Sequence, residues 1–176
     1  IAAEEAGFVN AAKPDSQDIC FGPNGDYAGV IEMQTGRKSV AGNFIDKDGH
    51  ILGRHKGIIH YTVGQRKGLG ISSNIPLYVC KIQPQNGNIV LGGNDALFSQ
   101  ETTAVDFNWI SEEAPKDEFR CKVKIRYRQT EQWATVLPLG EDAVHILFDT
   151  PQRAISPGQA AVLYDGDTVL GGGTLK

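Results

Sequence analysis

Turn-forming residues cut this chain into extended runs that are mostly too short for helices. Asp46-Lys47-Asp48-Gly49, Asn86-Gly87-Asn88 and Asp165-Gly166 each separate two stretches suited to strands, and Gly beside Asn or Asp at such a spacing is a strong local hairpin signal. Three hairpins are predicted: Gly42–Ile45 with His50–Gly53, Tyr78–Ile82 with Ile89–Leu91, and Ala160–Tyr164 with Thr168–Leu170. Helix fits only Ile1–Ala6, Asp26–Met33 and part of Lys56–Gly64, so helical content falls toward the C-terminus. The predicted fold is mainly β, with a small α+β domain over residues 1–75 followed by a C-terminal β-barrel over residues 76–176. The boundary is set at Ser72-Ser73-Asn74-Ile75-Pro76, a polar stretch closed by a proline. Gly171-Gly172-Gly173 is too short to be a linker.

Charge narrows the function classes. The formal net charge is 17 − 21 = −4, so the whole chain has no general attraction for polyanions, and any nucleic-acid contact must come from local clusters. Gly, Pro, Asn or a charge interrupts every apolar stretch before the roughly 20 residues that span a bilayer, and no membrane partner is expected. Ile1–Gly7 reads as the end of a helix stopped by glycine, which leads us to expect that the sequence starts mid-protein. Cys20, Cys80 and Cys121 are odd in number and lack CxxC spacing, which argues against a disulfide framework or zinc site and favours a reducing cytoplasm.

Two basic features stand out. No Asp or Glu lies between Asp48 and Asp95, an interval that holds Arg54, Lys56, Arg66, Lys67 and Lys81. Within it, Gly64-Gln65-Arg66-Lys67-Gly68-Leu69-Gly70 combines flexible backbone with two cations. Such a loop can approach phosphate closely, though it lacks Walker spacing and also reads as a solvated turn. The second feature is Phe119–Arg128, where Arg120, Lys122, Lys124, Arg126 and Arg128 occupy alternate positions. A continuous strand would carry all five on one face, with Cys121, Val123, Ile125 and Tyr127 on the buried side. The resulting stripe suits phosphates, with salt-sensitive affinity and little base specificity. The alternative is a solvated face that protects a sheet edge.

Cys80 and Cys121 alternate in phase with apolar neighbours, and each is expected to pack in a strand core as an inert thiol. Cys20 differs. It lies among polar and turn residues, in Asp15-Ser16-Gln17-Asp18-Ile19-Cys20-Phe21-Gly22-Pro23-Asn24-Gly25. Its two nearby aspartates disfavour a thiolate but would trouble the more acidic persulfide less. From the residues alone, Cys20 reads equally as a buried loop residue. The four histidines lack metal-ligand spacing, and no metal site is expected.

Asp15–Phe21 and Gly57-Ile58-Ile59-His60-Tyr61-Thr62-Val63-Gly64-Gln65-Arg66-Lys67-Gly68-Leu69-Gly70 closely resemble segments of tRNA-specific 2-thiouridylases. Lys124-Ile125-Arg126-Tyr127-Arg128-Gln129, Ser156-Pro157-Gly158-Gln159-Ala160-Ala161-Val162 and Leu170-Gly171-Gly172-Gly173 are similar to that family's later motifs, in the same order. The resemblance implies an enzyme that adenylates a wobble uridine with ATP and magnesium, then replaces its 2-oxygen with sulfur carried as a persulfide. It implies that Cys20 is the persulfide carrier, and that sulfur leaves as an upstream cysteine forms a disulfide with it. It also implies that Arg126, Tyr127 and Gln159 contact the tRNA anticodon arm, that a persulfide donor protein loads Cys20, and that ATP binds an N-terminal domain outside this sequence. The isolated chain is then expected to hold no cofactor and to be inactive in thiolation. Lys124, Arg128, Arg66 and Lys67 join the expected RNA-binding set from their charge. Two other readings remain open at this point: a stand-alone RNA-binding β module with a structural Cys20, and a protein-interaction domain with a solvated basic edge.

Overall fold

The computed structural model describes residues 27–110 and 114–176. Two compact units divide between Ser39 and Val40. In the first, helix α1 (Tyr27–Thr35) falls where the second helical stretch was expected, and its C-terminal end is locally satisfied. The Thr35 hydroxyl donates to the Ile31 carbonyl at 2.7 Å, and the Ser39 N–H donates to Glu32 Oε1 at 2.7 Å. Gly36, at φ 65°, supplies the left-handed residue that stops the helix. Ile1–Ala6 and Cys20 lie outside the described residues.

The second unit opens with a four-stranded sheet in the order β2-β1-β4-β3. Its strands are β1 (Gly42–Ile45), β2 (Ile51–His55), β3 (Tyr78–Gln83) and β4 (Asn88–Gly92). Two of the expected hairpins form here, and the parallel pairing of β1 with β4 through Phe44↔Ile89 and Ile45↔Val90 joins them. Phe44, Val79, Ile89, Leu91 and Leu69 form the core of this layer. Strands therefore lie in one sheet on both sides of Ser72–Pro76. The changeover to the barrel comes after β4, at Phe98, and not near residue 75, because long-range pairing tied the second hairpin to the first. Of the helix expected within Lys56–Gly64, one 3-10 turn forms, Ile58–His60.

Six antiparallel strands then close into a barrel in the order β10-β5-β8-β7-β6-β9. They are β5 (Phe98–Trp109), β6 (Phe119–Lys124), β7 (Gln132–Pro138), β8 (Val144–Arg153), β9 (Ala160–Asp165) and β10 (Thr168–Leu175). Alternate residues fill the interior, among them Cys121, Val123, Ala134, Val136, Ile146, Phe148 and Leu163. Burying a side chain such as Phe148 contributes about 1.5–3 kcal/mol. The triple glycine in β10 makes room for an aromatic ring. A Cβ on Gly171 would lie 2.7 Å from the Phe107 ring, and one on Gly173 would lie 2.7 Å from the Val105 carbonyl and 2.8 Å from Phe107. No helix among the described residues is long and apolar enough to cross a membrane.

His55 braces the small sheet. Its Nε2 lies 3.0 Å from the Gly87 carbonyl and its Nδ1 accepts the Gly57 N–H at 3.0 Å, so the ring is held as the neutral Nε2–H tautomer. Phe44 and Tyr61 meet it edge-on, with centroids at 5.1 and 5.5 Å. Burial pushes its pKa below the ordinary 6.5.

Substitutions at Gly173, Gly93 and His55 test this packing. Gly173→Ala lowers stability by about 1–3 kcal/mol through overpacking. Gly93→Ala, where nothing lies within 4 Å of the added carbon, leaves the urea midpoint unchanged or slightly raised. For His55, the unfolded state binds the proton more tightly, so its contribution is complete above pH 6.5 and is lost as pH falls through the lower folded value. The urea midpoint accordingly drops on acidification below that pH, and His55→Gln removes this component of the pH profile.

Candidate nucleic-acid interface

The expected five-residue stripe is interrupted in the structure. Strand β6 ends at Lys124, and the chain turns at Ile125 because its N–H donates to the side-chain carbonyl of Gln129 at 3.3 Å. Gln129 Nε2 donates to Gln152 Oε1 at 2.7 Å, and Gln152 Nε2 donates to the Thr150 carbonyl at 2.6 Å. This relay of amides leans the turn Ile125–Gln129 on the end of β8. Arg126 fixes it from the other side by donating through Nη2 to the carbonyl of Ala154. Ala154 itself sits at φ 53°, a left-handed conformation that costs a non-glycine residue about 1–2 kcal/mol. Its N–H donates to Leu97 at 2.7 Å and its carbonyl accepts the Ser156 hydroxyl at 3.0 Å, and these bonds hold the conformation in place.

Two consequences correct the sequence reading. Tyr127 is not on the buried face: it lies in the turn and is 90% exposed. Two of the three cations still on β6 are paired with acids. Arg120 makes a two-pronged pair with Asp149 of β8, both N–O distances being 2.6 Å, and Lys122 lies 3.7 Å from Glu131. These acids come from a strand 29 residues away and from the β6–β7 turn, so the run Arg120–Arg128 alone could not reveal them.

Breaking the ladder at Lys124 creates a cleft. Strand β6 pairs with β9 through Lys122↔Tyr164, Val123↔Leu163 and Lys124↔Val162, and the pairing ends there. Where β6 departs, β9 loses its partner and a hollow of about 580 Å³ opens, lined by Lys124, Ile125, Arg126, Tyr127, Gln159, Ala160, Val162 and Tyr164. Gln159 enters it from a turn clipped to the barrel end, where its N–H donates to Ser156 and its carbonyl accepts the Leu175 N–H at 2.7 Å. Four of the expected RNA-binding residues, Lys124, Arg126, Tyr127 and Gln159, thus line one cleft, although 35 positions separate the first from the last.

Arg66 and Lys67 lie apart from it. Arg66 borders a separate hollow formed with Gly68–Leu77, and the Gln65 side chain braces the turn by accepting the Thr62 N–H at 3.0 Å and donating to the Lys67 carbonyl at 2.9 Å. The two loops share a support: a Cβ on Gly64 would lie 3.1 Å from Cβ of Ala154, the residue whose carbonyl holds Arg126. Arg128 is exposed beyond the cleft rim. Gln129, Gln152 and Ala154 were not singled out as site residues. Gln129 stands in the Lys124–Gln129 motif, whereas Gln152 and Ala154 carry no local signal.

The cysteines divide. Cys121 is buried as expected, and desolvation pushes its thiol up to about 12. Cys80 is only half-buried, because β3 slips register between Val79 and Lys81 and the bulge takes Cys80 out of the core alternation. Its thiol is also raised by burial and lies 3.4 Å from the Tyr78 carbonyl, to which it donates.

The comparisons with known proteins meet this geometry at both layers. Residues 30–93 match the tRNA methyl transferase PRC-barrel domain family and residues 99–175 the Aminomethyltransferase beta-barrel domain family. The chain is 49% identical over 174 residues to the tRNA-specific 2-thiouridylase of Acetivibrio thermocellus, covering 99% of this chain and 48% of that protein. The chain belongs to the tRNA-specific 2-thiouridylase family. The 2-thiouridylases of Lachnoclostridium phytofermentans and Clostridioides difficile are each 47% identical to it, again over 98% and 99% of the chain and 48% of the relative. It therefore spans about half the length of these 2-thiouridylases.

The amide relay gives the next prediction. Gln152→Leu leaves Gln129 Nε2 without its acceptor, which costs about 1–3 kcal/mol in urea unfolding. It also speeds hydrogen exchange at the Ile125 amide, while the β7–β8 amides keep their relative protection.

Proposed function

We propose that this chain seats tRNA in the cleft where β6 leaves β9, as part of an ATP-dependent enzyme that makes 2-thiouridine at the wobble position with Cys20 carrying the sulfur. The single observation that carries the reading is the convergence of Lys124, Arg126, Tyr127 and Gln159 on one cleft in a chain of the 2-thiouridylase family. Lysine and arginine offer charge to phosphate, and the exposed ring offers a face to a base. In this reading Arg126 spends part of its fork on Ala154 and presents the remainder at a fixed angle, so it positions RNA rather than merely attracting it. Arg128, Arg66 and Lys67 extend the contact to phosphates outside the cleft.

The sulfur-handling role falls to Cys20 partly by the state of the other two cysteines. Burial raises the thiols of Cys80 and Cys121, which keeps both protonated and poorly nucleophilic at neutral pH. A persulfide on Cys20, loaded by a donor protein, would supply the sulfur that replaces the uridine 2-oxygen, and the place of action would be the cytoplasm.

The described residues do not fit ATP with magnesium. Gly64–Gly70 leads through a loop into β3 and opens no helix whose N-terminus could hold phosphate. The one group of potential metal ligands among the described residues is Asp46, Asp48 and His50. Asp46 is committed there to the hairpin turn, accepting the N–H groups of Asp48 and His50, with its carboxyl held low chiefly by the His50 side chain.

Two measurements test the proposal. In cells whose only full-length copy carries Cys20→Ser at normal abundance, mass spectrometry of tRNA nucleosides finds no 2-thiouridine; its retention would make Cys20 structural and leave an RNA-binding module. In filter binding, Lys124→Ala with Arg128→Ala weakens tRNA binding and flattens the log affinity against log salt plot by about two phosphate contacts. An unchanged slope would place the RNA elsewhere, and absence of tRNA affinity at low salt would favour a protein-interaction role.

A further inference from the structure

The two basic loops of this chain come from different layers, yet both are anchored on one corner of the barrel, Arg153-Ala154, where β8 ends. On the cleft side, the Ala154 carbonyl accepts Nη2 of Arg126. On the side of the small sheet, the Ala154 methyl faces Gly64, where an added Cβ would lie 3.1 Å from it. Gly64 opens the loop that carries Arg66 and Lys67, and two hydrogen bonds clip this loop to β3. The Gly64 N–H donates to the Val79 carbonyl at 2.7 Å, and the Val79 N–H donates to the Gln65 carbonyl at 2.9 Å. Val79 is a fully buried residue of the sheet core, so the clip ties Gly64 to the body of the sheet.

Arg153 closes the corner against the sheet. Its Nε donates to Oδ1 of Asn94 at 3.2 Å, and its guanidinium lies over the Tyr78 ring, 5.4 Å from the centroid. Tyr78 precedes Val79 on β3. Asn94 begins the 3-10 turn Asn94–Leu97, whose last carbonyl takes the Ala154 N–H at 2.7 Å. One strand and one turn of the sheet layer therefore hold both residues of the corner. A guanidinium suits this position because its plane can stack on a ring while its edge donates to an amide. No acid among the described residues pairs with Arg153, so the ring and the amide set its place. Ala154 keeps a left-handed φ of 53°, which an alanine holds only where its surroundings impose it. Were the corner to relax, the Ala154 carbonyl would swing and Arg126 would lose its fixed acceptor.

We propose that Arg153 and Ala154 form a latch between the two layers that fixes the aim of Arg126 relative to Arg66 and Lys67, so that an RNA backbone touching both loops meets cations at a set spacing. Arg153 is then a positioning residue, acting through Ala154 without touching RNA. The proposal rests on the tRNA-docking reading and adds to it that contacts from the sheet layer and from the barrel act as one rigid surface. Rigidity raises affinity because a long side chain left free to move must be ordered when it binds.

Two experiments on the full 176-residue chain test the latch and the docking reading separately. In the first, nuclear magnetic resonance follows the Arg126 guanidinium in the absence of RNA. Its Nη protons exchange slowly in wild type, since one of them is held by the Ala154 carbonyl. Tyr78→Leu and Arg153→Ala speed this exchange, whereas Tyr78→Phe, which keeps the ring face, does not. Asn94→Ala, at an exposed position, acts in the same direction and carries the test if Tyr78→Leu fails to fold. An Arg126 signal unchanged in all three disruptive variants would overturn the latch. In the second experiment, tRNA affinity is measured against salt for the same variants, with urea midpoints giving the folded fraction. Tyr78→Leu and Arg153→Ala each weaken binding about 3- to 12-fold with the salt slope unchanged, because Arg126 still reaches its phosphate and no counterion release is lost. Lowered midpoints with the folded protein binding tRNA within about twofold of wild type would overturn the latch and leave the docking reading standing. A slope flattened by about one contact in Arg153→Ala, with Tyr78→Leu at wild-type affinity, would make Arg153 a phosphate ligand and also overturn the latch. If wild type binds no tRNA while Tyr78→Leu still frees the Arg126 signal, the docking reading is wrong and the coupling of Arg126 to the sheet stands.

Discussion

The site on the C-terminal barrel depends on how that barrel closes. Strand β10 pairs on one side with β5 and on the other with β9, and this last pairing removes the free edges that a six-stranded sheet would otherwise expose. Closure demands that β10 bend closely past β5, and the glycines at 171 and 173 permit it because no side chain competes with Phe107 for the space. The ring in turn helps fill the interior beside Trp109, its centroid 4.6 Å away. A glycine run too short to be a linker is thus a packing device.

A closed barrel has no spare edge on which to build a site, and this one makes its opening by releasing a strand early. The side chain of Gln129 takes the N–H of Ile125, and the chain leaves β9 and leans on β8 through Gln152 and Ala154. Neutral amide hydrogen bonds thereby decide where the cations Lys124 and Arg126 point. The same departure uncovers the start of β9, where Gln159, Val162 and Tyr164 face the gap. The arrangement costs a left-handed alanine and a buried unpaired oxygen, and such costs are characteristic of places where local consistency yields to binding.

Much of the fold was legible from turn chemistry and alternation. The three hairpins follow their Asp-Gly and Asn-Gly turns, helix α1 overlaps its expected stretch, and the mainly β fold with a C-terminal barrel is as expected. Cys121 and Val123 lie inside β6, as their period of two requires. The reading failed where an interaction crossed a long stretch of chain. The parallel β1–β4 pairing carried the second hairpin into the first sheet, the β3 bulge took Cys80 out of the core, and Asp149 reached Arg120 from β8.

By itself, the sequence determined the strand pattern, the buried face of β6, the family and the residue types available for binding, since these rest on local sterics and on motifs contiguous along the chain. Only the tertiary structure decided that alternation ends at Lys124, that Tyr127 is exposed, and that Gln159 and Tyr164 share a cleft with Arg126. The reason is physical: the turn at Ile125 is set by Gln129, which accepts the Ile125 N–H and donates to Gln152, and the second of these bonds closes a loop of 23 residues. Such a bond forms only once the intervening strands have paired, so no window of sequence contains it.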